Sequence, residues 1–197
     1  IMAIQEQLLV RAISAVKEKH GEEIKRLFDV DVVVPTVPFP RIPLAEAIDI
    51  VKERGHEIAR GGDMDPEGER QIAAHVFEKY GHEFVFLTDY PSSVRPFYHM
   101  RHADNDALTN SYDLIWRGTE ITTGAQREHR VDVLIEQIKS KGLEPEGLKT
   151  YVDFFRYGAP AHGGFGMGLL RVIMLLLHQP NIREVGYLFR GPNRLEP

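Results

Sequence analysis

Cysteine is missing from the 197-residue chain, which excludes disulfide bonds, thiolate metal ligands and cysteine nucleophiles. Apolar runs are short, because the longest covers residues 172–177 and a membrane helix needs roughly 18–20 residues. No basic flank precedes an apolar segment at the N-terminus, so no signal peptide is expected. Positive charge is not in excess either, since 29 acidic residues outnumber 24 basic residues. This balance argues against a general nucleic-acid coat protein.

Hydrophobic residues make up 43% of the chain and charged residues 27%, as in a globular protein that can bury a core. Periodicity and turn signals predict helices at residues 1–19, 44–54, 66–80, 127–141, 146–157 and 167–177. They predict strands at residues 30–34, 84–87, 95–100, 111–116, 120–123 and 185–189. Helices, then clustered strands, then helices indicate an α+β fold with an antiparallel sheet flanked by helices. The length suits one domain.

Two carboxylates lie on predicted neighbouring strands. Asp113 and Glu120 flank a tight turn at Arg117 and Gly118, so their strands would run side by side about 4.7–4.9 Å apart. Both side chains could then reach one site and share Mg²⁺, which prefers oxygen ligands and retains water and phosphate. The alternative is a pair of solvated charges at the edge of the sheet.

A small-residue segment follows directly, at residues 122–129. It would let the backbone approach a ligand, and it carries Gln126 and Arg127. A guanidinium binds a carboxylate with two parallel hydrogen bonds, as lysine cannot. The alternative is that Arg127 stands in the first turn of an ordinary helix, where the helix dipole disfavours a cation. We also consider Arg95 as a second anion contact, with an ordinary strand start as the alternative, and His162 as a pocket residue, with a structural histidine as the alternative. No histidine spacing predicts a structural zinc site.

Glycines alternate with other residues over 163–168, at the start of an apolar helix, which suits close approach of a nucleotide to a helix N-terminus. Arg171 is the one charge among the apolar residues that follow, and it needs an anionic or aromatic partner. No Gly-Lys-Ser/Thr follows and no βαβ unit precedes, so the segment matches neither the P-loop nor the Rossmann fingerprint.

Taken together, these segments resemble the catalytic domain of class II aminoacyl-tRNA synthetases, most closely the aspartyl enzymes of archaeal and eukaryotic type. The resemblance spans the chain, so residues 1–197 are expected to form one partial catalytic domain. It rests on the following motifs, in order: Arg95-Pro96-Phe97-Tyr98, Ser111-Tyr112-Asp113-Leu114, Gly118-Thr119-Glu120-Ile121, Thr123-Gly124-Ala125-Gln126-Arg127, residues 162–168, Arg171-Val172-Ile173-Met174, Asn181-Ile182-Arg183-Glu184 and Pro192-Asn193-Arg194-Leu195.

The resemblance implies an aspartate–tRNA ligase that forms aspartyl-adenylate from aspartate and ATP and then charges tRNA. It further implies a cytoplasmic homodimer, no membrane contact, and Mg²⁺ as the cofactor. Arg171 and Glu120 would be catalytic. The metal ligands would be Asp113, Glu120 and Thr123. ATP would contact Glu120, Gly168, Leu169, Leu170 and Arg171. Aspartate would contact Thr123, Gln126, Arg127, His162 and Gly164.

The sequence also departs from the family pattern. It starts after the family's first two signature motifs, so tRNA would be bound through regions outside the chain, and apolar surface would be exposed where further strands belong. Leu170 stands where the family usually has Glu, and Thr123 replaces a usual Ser. Two alternatives stay open. One is a truncated, non-charging paralogue that binds nucleotide or an acidic amino acid, or acts as an interaction module. The other is an asparaginyl-tRNA synthetase or an asparagine synthetase of the same fold.

Overall fold

A computed structural model describes residues 1–58 and 61–196 of the chain. Contacts divide it into two units, one of Ile1 with residues 40–166 and one of Met2–Phe39 with the segment from Met167 onwards. The expected α+β class is confirmed, because the described residues form six α-helices and five strands. The elements are α1 Met2–Phe28, β1 Arg41–Pro43, α2 Leu44–Glu53, α3 Pro66–Tyr80, β2 Phe84–Thr88, β3 Ser111–Trp116, β4 Thr119–Gln126, α4 Val131–Ser140, α5 Lys149–Arg156, β5 Gly163–Met167 and α6 Leu169–Leu176, with 3₁₀ turns at Pro145–Leu148 and Ile182–Glu184.

The five strands form one sheet in the order β1-β2-β3-β4-β5. Strands β2, β3 and β4 pair antiparallel, as the turn at Arg117 and Gly118 predicts. The short strand β1 was not predicted, and it pairs parallel with β2, so the sheet is mixed. Three residues carry too little periodicity to be recognised from sequence.

The two faces of the sheet bury different side chains, because residues alternate along each strand. Val85, Leu87 and Ile115 share one face and belong to the core that helices α2 and α3 complete. The other face is aromatic, with Phe84 stacked on Trp116 at 4.7 Å between ring centroids. Each of these side chains is at most 2% exposed, so β2 and β3 are buried on both faces.

Both ends of α3 lie where the sequence predicts them, and each end has a capping residue. Asp65 accepts a hydrogen bond from the Gly68 backbone N–H at 2.7 Å, and Gly81 ends the helix with φ 64°. The prediction that α1 ends at Lys19 is wrong, because the helix continues to Phe28. A glycine inside a helix costs about 1 kcal/mol relative to alanine, and the good helix formers around Gly21 outweigh that cost.

Three predicted strands are not formed. Val30 and Val32 are buried and alternate with exposed residues, but within the described chain their segment pairs with no strand. Residues 95–100 form turns and an isolated bridge, since Pro96 cannot donate to a ladder. Residues 185–189 are also irregular. Conversely, the glycine-rich segment before α6 was not predicted as a strand, and it forms β5 over Gly163–Met167.

Helix α6 is apolar in sequence but has no buried residue. Leu169 is 62% exposed and Leu170 is 43% exposed. Helix α6 therefore presents apolar side chains at the surface. No helix within residues 1–58 and 61–196 combines the length and apolar character needed to cross a bilayer.

Gly124 gives a first prediction. A Cβ atom at this position would lie 2.3 Å from the Tyr112 ring, on the strand opposite. We expect Gly124→Ala to lower the free energy of unfolding by about 1–3 kcal/mol, because the buried ring has to move. Gly147→Ala is the matched control, since nothing lies within 4 Å of its added methyl group. Urea unfolding measures both variants, and equal losses would contradict the close approach.

Candidate functional site

A β-bulge brings the predicted site residues onto one face of the sheet. Asp113 pairs with Thr123 across the β3–β4 ladder, and Ile115 pairs with Glu120, so Ile121 is an extra residue in β4. Cross-strand partners share a face, and so do residues two apart on one strand. Glu120 and Thr123 therefore lie on the same face although they are three residues apart. Their hydrogen bond agrees, since the Thr123 hydroxyl donates to the Glu120 carboxylate at 2.8 Å.

Asp113 is held in a buried ion pair. The Arg95 guanidinium donates to its Oδ2 at 2.5 Å, and both side chains are less than a tenth exposed. The same guanidinium lies 3.5 Å from the centre of the Tyr90 ring. Burial raises the pKa of Asp113, Arg95 opposes the rise, and the nearby charge of Glu120 adds to it. Arg95 is thus committed to Asp113, and the idea that it contacts a ligand anion is not supported.

The predicted metal ligands form a small cluster of oxygen donors. Within residues 1–58 and 61–196, no three His, Cys, Asp or Glu side chains group so as to hold a metal ion. The Glu120 carboxylate and the Thr123 hydroxyl nevertheless suit Mg²⁺, which takes few protein ligands and completes its shell with water and phosphate. Asp113 would offer its Oδ1 alone, because Arg95 already binds Oδ2.

Arg127 follows β4 directly and is not in the first turn of a helix, so that alternative is wrong. Helix α4 begins at Val131, with Arg130 as its N-cap. The backbone N–H of Arg127 donates to the His162 carbonyl, and that of Glu128 donates to the Tyr98 carbonyl. These tertiary partners keep the chain extended. Alternation then places Arg127 on the face of Thr123.

The Arg127 guanidinium has aromatic neighbours but no acidic partner. Within the described chain no carboxylate forms an ion pair with it, although its side chain is half-buried. The guanidinium carbon lies 5.1 Å from the centre of the Tyr98 ring. Its charge also lowers the pKa values of Tyr112 and Tyr151, both of which burial raises. A desolvated cation without a counter-charge is a receptor for an anion.

His99 is the bridge partner of Arg127, and its imidazole is close enough to be affected by the charge of that guanidinium. It is 3% exposed. Burial, and then the charges of Arg127 and Arg95, lower the pKa of His99 to about 3. The imidazole is therefore neutral at physiological pH, and the two guanidiniums supply the positive charge next to it.

The other residues predicted to contact aspartate are Gln126, His162 and Gly164. The Gln126 side-chain oxygen accepts from Asn110 at 3.1 Å. The His162 ring Nδ1 donates to the Pro160 carbonyl at 2.8 Å, and the His162 carbonyl accepts from the backbone N–H of Arg127. Gly164 lies in β5, where a Cβ atom would meet nothing within 4 Å. Gln126 precedes Arg127 in the chain and His162 accepts its backbone N–H, while Gly164 lies in the strand next to β4. Contact of these residues with a ligand stays a prediction.

The predicted ATP residues belong to the second unit. Gly168 is the N-cap of α6 and makes no side-chain capping bond, and Leu169 opens the helix. The aliphatic part of the exposed Arg171 side chain lies beside Gly168, because a Cβ atom added to Gly168 would be 3.4 Å from the Arg171 Cδ. No acidic residue stands in the first turn of α6. Backbone N–H groups and a guanidinium at one helix end suit an anion such as phosphate.

Sequence reasoning missed His99 and Gln137. His99 follows Pro96 in a segment taken as a strand, so its burial gave no signal. Gln137 had a detectable signal, because it shares the apolar stripe of α4 with Leu134 and Ile138. A polar residue on a buried stripe needs hydrogen-bond partners.

Comparison with known proteins gives the family. The family model for class II tRNA synthetases (D, K and N) matches residues 1–190. The aspartate--tRNA(Asp) ligase of Thermococcus kodakarensis is 42% identical over the whole chain, which covers 45% of that protein. The aspartate--tRNA(Asp/Asn) ligase of Aeropyrum pernix is 44% identical over 95% of the chain and 43% of its own length. The chain thus spans less than half of these curated relatives.

Solved structures agree in fold. An aspartyl tRNA synthetase from Entamoeba histolytica matches with a TM-score of 0.91 and 34% identity, over 99% of this chain and 41% of that one. An asparaginyl-tRNA synthetase from Pyrococcus horikoshii matches with 0.89 and 30% identity, over 100% of this chain and 47% of that one. On the matched family, the full-length similarity and the shared fold, the chain belongs to the class II tRNA synthetases (D, K and N).

Proposed function

We propose that the protein is an aspartate–tRNA ligase, and that this chain supplies its amino-acid pocket and part of its ATP site. The α-carboxylate of aspartate attacks the α-phosphorus of ATP, aspartyl-adenylate forms and pyrophosphate leaves. A ribose hydroxyl of tRNA then takes the aspartyl group and AMP leaves. Relatives named as aspartate–tRNA ligases, at 42–44% identity, support this reaction.

The observation that carries the proposal is the Arg127 guanidinium on the Tyr98 ring, which has no carboxylate partner among residues 1–58 and 61–196. Aspartate brings a side-chain carboxylate that can accept two parallel hydrogen bonds from a guanidinium. Asparagine offers one carbonyl oxygen and an NH₂ group that would face the cation. Arg127 therefore favours aspartate over asparagine, although asparaginyl enzymes share the fold. Thr123, Gln126, His162 and Gly164 would border the same amino acid.

The remaining roles follow the family pattern. Arg171, Gly168, Leu169 and Leu170 would contact ATP at the N-terminal end of α6. Mg²⁺, held by Glu120 and Thr123 with Asp113, would screen the charge that builds on the phosphates. Glu120 and Arg171 would thus act where charge develops. We extend the proposal to a cytoplasmic homodimer, and a relative from Arabidopsis thaliana named "Aspartate--tRNA ligase 2, cytoplasmic" supports the location.

A second candidate is a paralogue that binds nucleotide or an acidic amino acid without charging tRNA. Leu170 favours it, because an exposed leucine stands where the family usually has a carboxylate next to Arg171. The unpaired Arg127 is compatible with both candidates. Catalysis, and not binding, therefore separates them.

Aspartate-dependent exchange of pyrophosphate into ATP is the decisive experiment. We expect the full-length gene product to catalyse exchange with aspartate and not with asparagine. Binding of ATP and aspartate by calorimetry, without exchange, would establish the paralogue instead. Exchange with asparagine in preference to aspartate would overturn the role of Arg127.

Arg127→Lys tests the carboxylate receptor. We expect the KM for aspartate to rise by about tenfold or more, because lysine cannot form the parallel pair of charged hydrogen bonds. The KM for ATP should change little. Arg130→Lys is the matched control, since Arg130 lies three residues away and pairs with Glu128. An equal rise in both KM values for Arg127→Lys would contradict the assignment.

His99 gives a prediction of pH dependence. Its pKa of about 3 in the folded protein lies below its ordinary value of 6.5, so the unfolded chain binds the extra proton. Stability from this group is therefore present above pH 6.5 and is lost as pH falls towards 3, by up to about 1.4 kcal/mol per pH unit. We expect His99→Gln to flatten the loss measured by urea unfolding between pH 6.5 and 4.

His20→Gln is the matched control for that measurement. His20 is a histidine on the exposed surface of α1, with a side chain that is 60% exposed. The same flattening in both variants would show that burial of His99 next to Arg127 is not the cause.

A further inference from the structure

Gln137 is buried in a place where an apolar residue would be expected. It lies on the inner stripe of α4 with Leu134 and Ile138, and it is 3% exposed. Its Nε2 donates to the Phe97 carbonyl at 2.6 Å and to the His99 carbonyl at 3.3 Å. Its Oε1 is buried and has no hydrogen-bond partner within the described chain. An unpartnered buried oxygen is costly, so the two donated bonds are what this side chain contributes.

The segment that Gln137 holds is fixed on its other side as well. The Tyr98 carbonyl accepts from the backbone N–H of Glu128 at 3.0 Å, and the Met100 N–H donates to the Gln126 carbonyl at 3.0 Å. Three successive carbonyls, at residues 97–99, therefore each have a donor from a neighbouring element. This arrangement fixes the backbone that carries Tyr98 against the end of β4.

Tyr98 transmits this constraint to the anion receptor. Its ring lies 5.1 Å from the guanidinium of Arg127, and within the described chain no carboxylate holds that guanidinium. Two parallel hydrogen bonds to a carboxylate require a fixed guanidinium plane. A ring that rests on a clamped backbone can fix this plane before the ligand arrives, which reduces the cost of binding.

We propose that Gln137 is a positioning residue for Arg127, acting through the carbonyls of Phe97 and His99 and through the Tyr98 ring. It touches no substrate, and it determines how well the pocket binds the side-chain carboxylate of an acidic amino acid. The inference rests on the proposed function insofar as that amino acid is aspartate.

Gln137→Leu tests the inference in the full-length gene product. Leucine keeps the apolar packing of α4 and removes both donors. We expect the KM for aspartate in pyrophosphate exchange to rise about tenfold, with little change in the KM for ATP or in kcat. Ser140→Ala is the matched control on the same helix, because the Ser140 hydroxyl donates to the Gln137 carbonyl and not to residues 97–99. Equal effects on both substrates would overturn the positioning role.

Gln137→Glu adds a readout that a merely structural role would not change. An ionised carboxylate repels the two carbonyls, whereas a protonated carboxyl donates one hydrogen bond to them. Burial and the carbonyl oxygens raise the pKa of such a group. We therefore expect the KM for aspartate of this variant to fall towards the wild-type value as pH is lowered from 8 to 6. If the KM of Gln137→Glu for aspartate does not respond to pH although Gln137→Leu raises that KM, the positioning role of Gln137 is overturned.

Calorimetric titration with aspartate separates this inference from the proposed function. If the wild-type protein binds aspartate but catalyses no exchange, the ligase proposal fails, and a weaker affinity in Gln137→Leu than in Ser140→Ala still supports the inference. If exchange occurs and the two variants bind aspartate equally, the inference fails alone. A wild-type protein that neither binds nor exchanges aspartate overturns both.

Discussion

The site depends on the half-buried guanidinium of Arg127, which has no carboxylate partner in the part of the chain that the structure describes. Arg127 is at the end of β4 on the Tyr98 ring, and its charge is felt by Tyr112, Tyr151 and the neutral His99. Proteins rarely leave such a charge uncompensated, because desolvation is costly. The surrounding structure must therefore be stable enough to hold it, and the ligand provides the missing negative charge.

Arg95 provides the contrast, because its charge is satisfied within the protein. It pairs with Asp113 and lies on the Tyr90 ring, so the Arg95 guanidinium stabilises the fold, whereas the Arg127 guanidinium is available to bind an anion. The Arg95–Asp113 pair fixes the middle of β3 on the face that Thr123 and Glu120 share. The two arginines thus differ in role because, in the part of the chain that the structure describes, Arg95 faces a carboxylate and Arg127 does not.

Sequence reasoning predicted those features that depend on local pattern. The β3–β4 hairpin follows from its turn, and the pairing of Asp113 with the strand of Glu120 follows from the hairpin. The start of α3 follows from Asp65 and Pro66. The isolation of Arg127 could not be predicted, since it depends on which carboxylates are absent from its surroundings. The position of His99 depends on tertiary contacts in the same way. The continuation of α1 past Gly21 shows a local stop signal overruled by its neighbours.

The extra residue at Ile121 has a consequence for how this hairpin can vary in length. Side-chain direction in a strand is a matter of odd and even count. Deleting Ile121 would remove the bulge and leave Glu120 and Thr123 two residues apart, so regular alternation would keep both side chains on the same face. The hairpin can therefore lose this one residue and keep the two oxygen donors together, whereas regular pairing at its present length would turn Glu120 and Thr123 to opposite sides of the sheet.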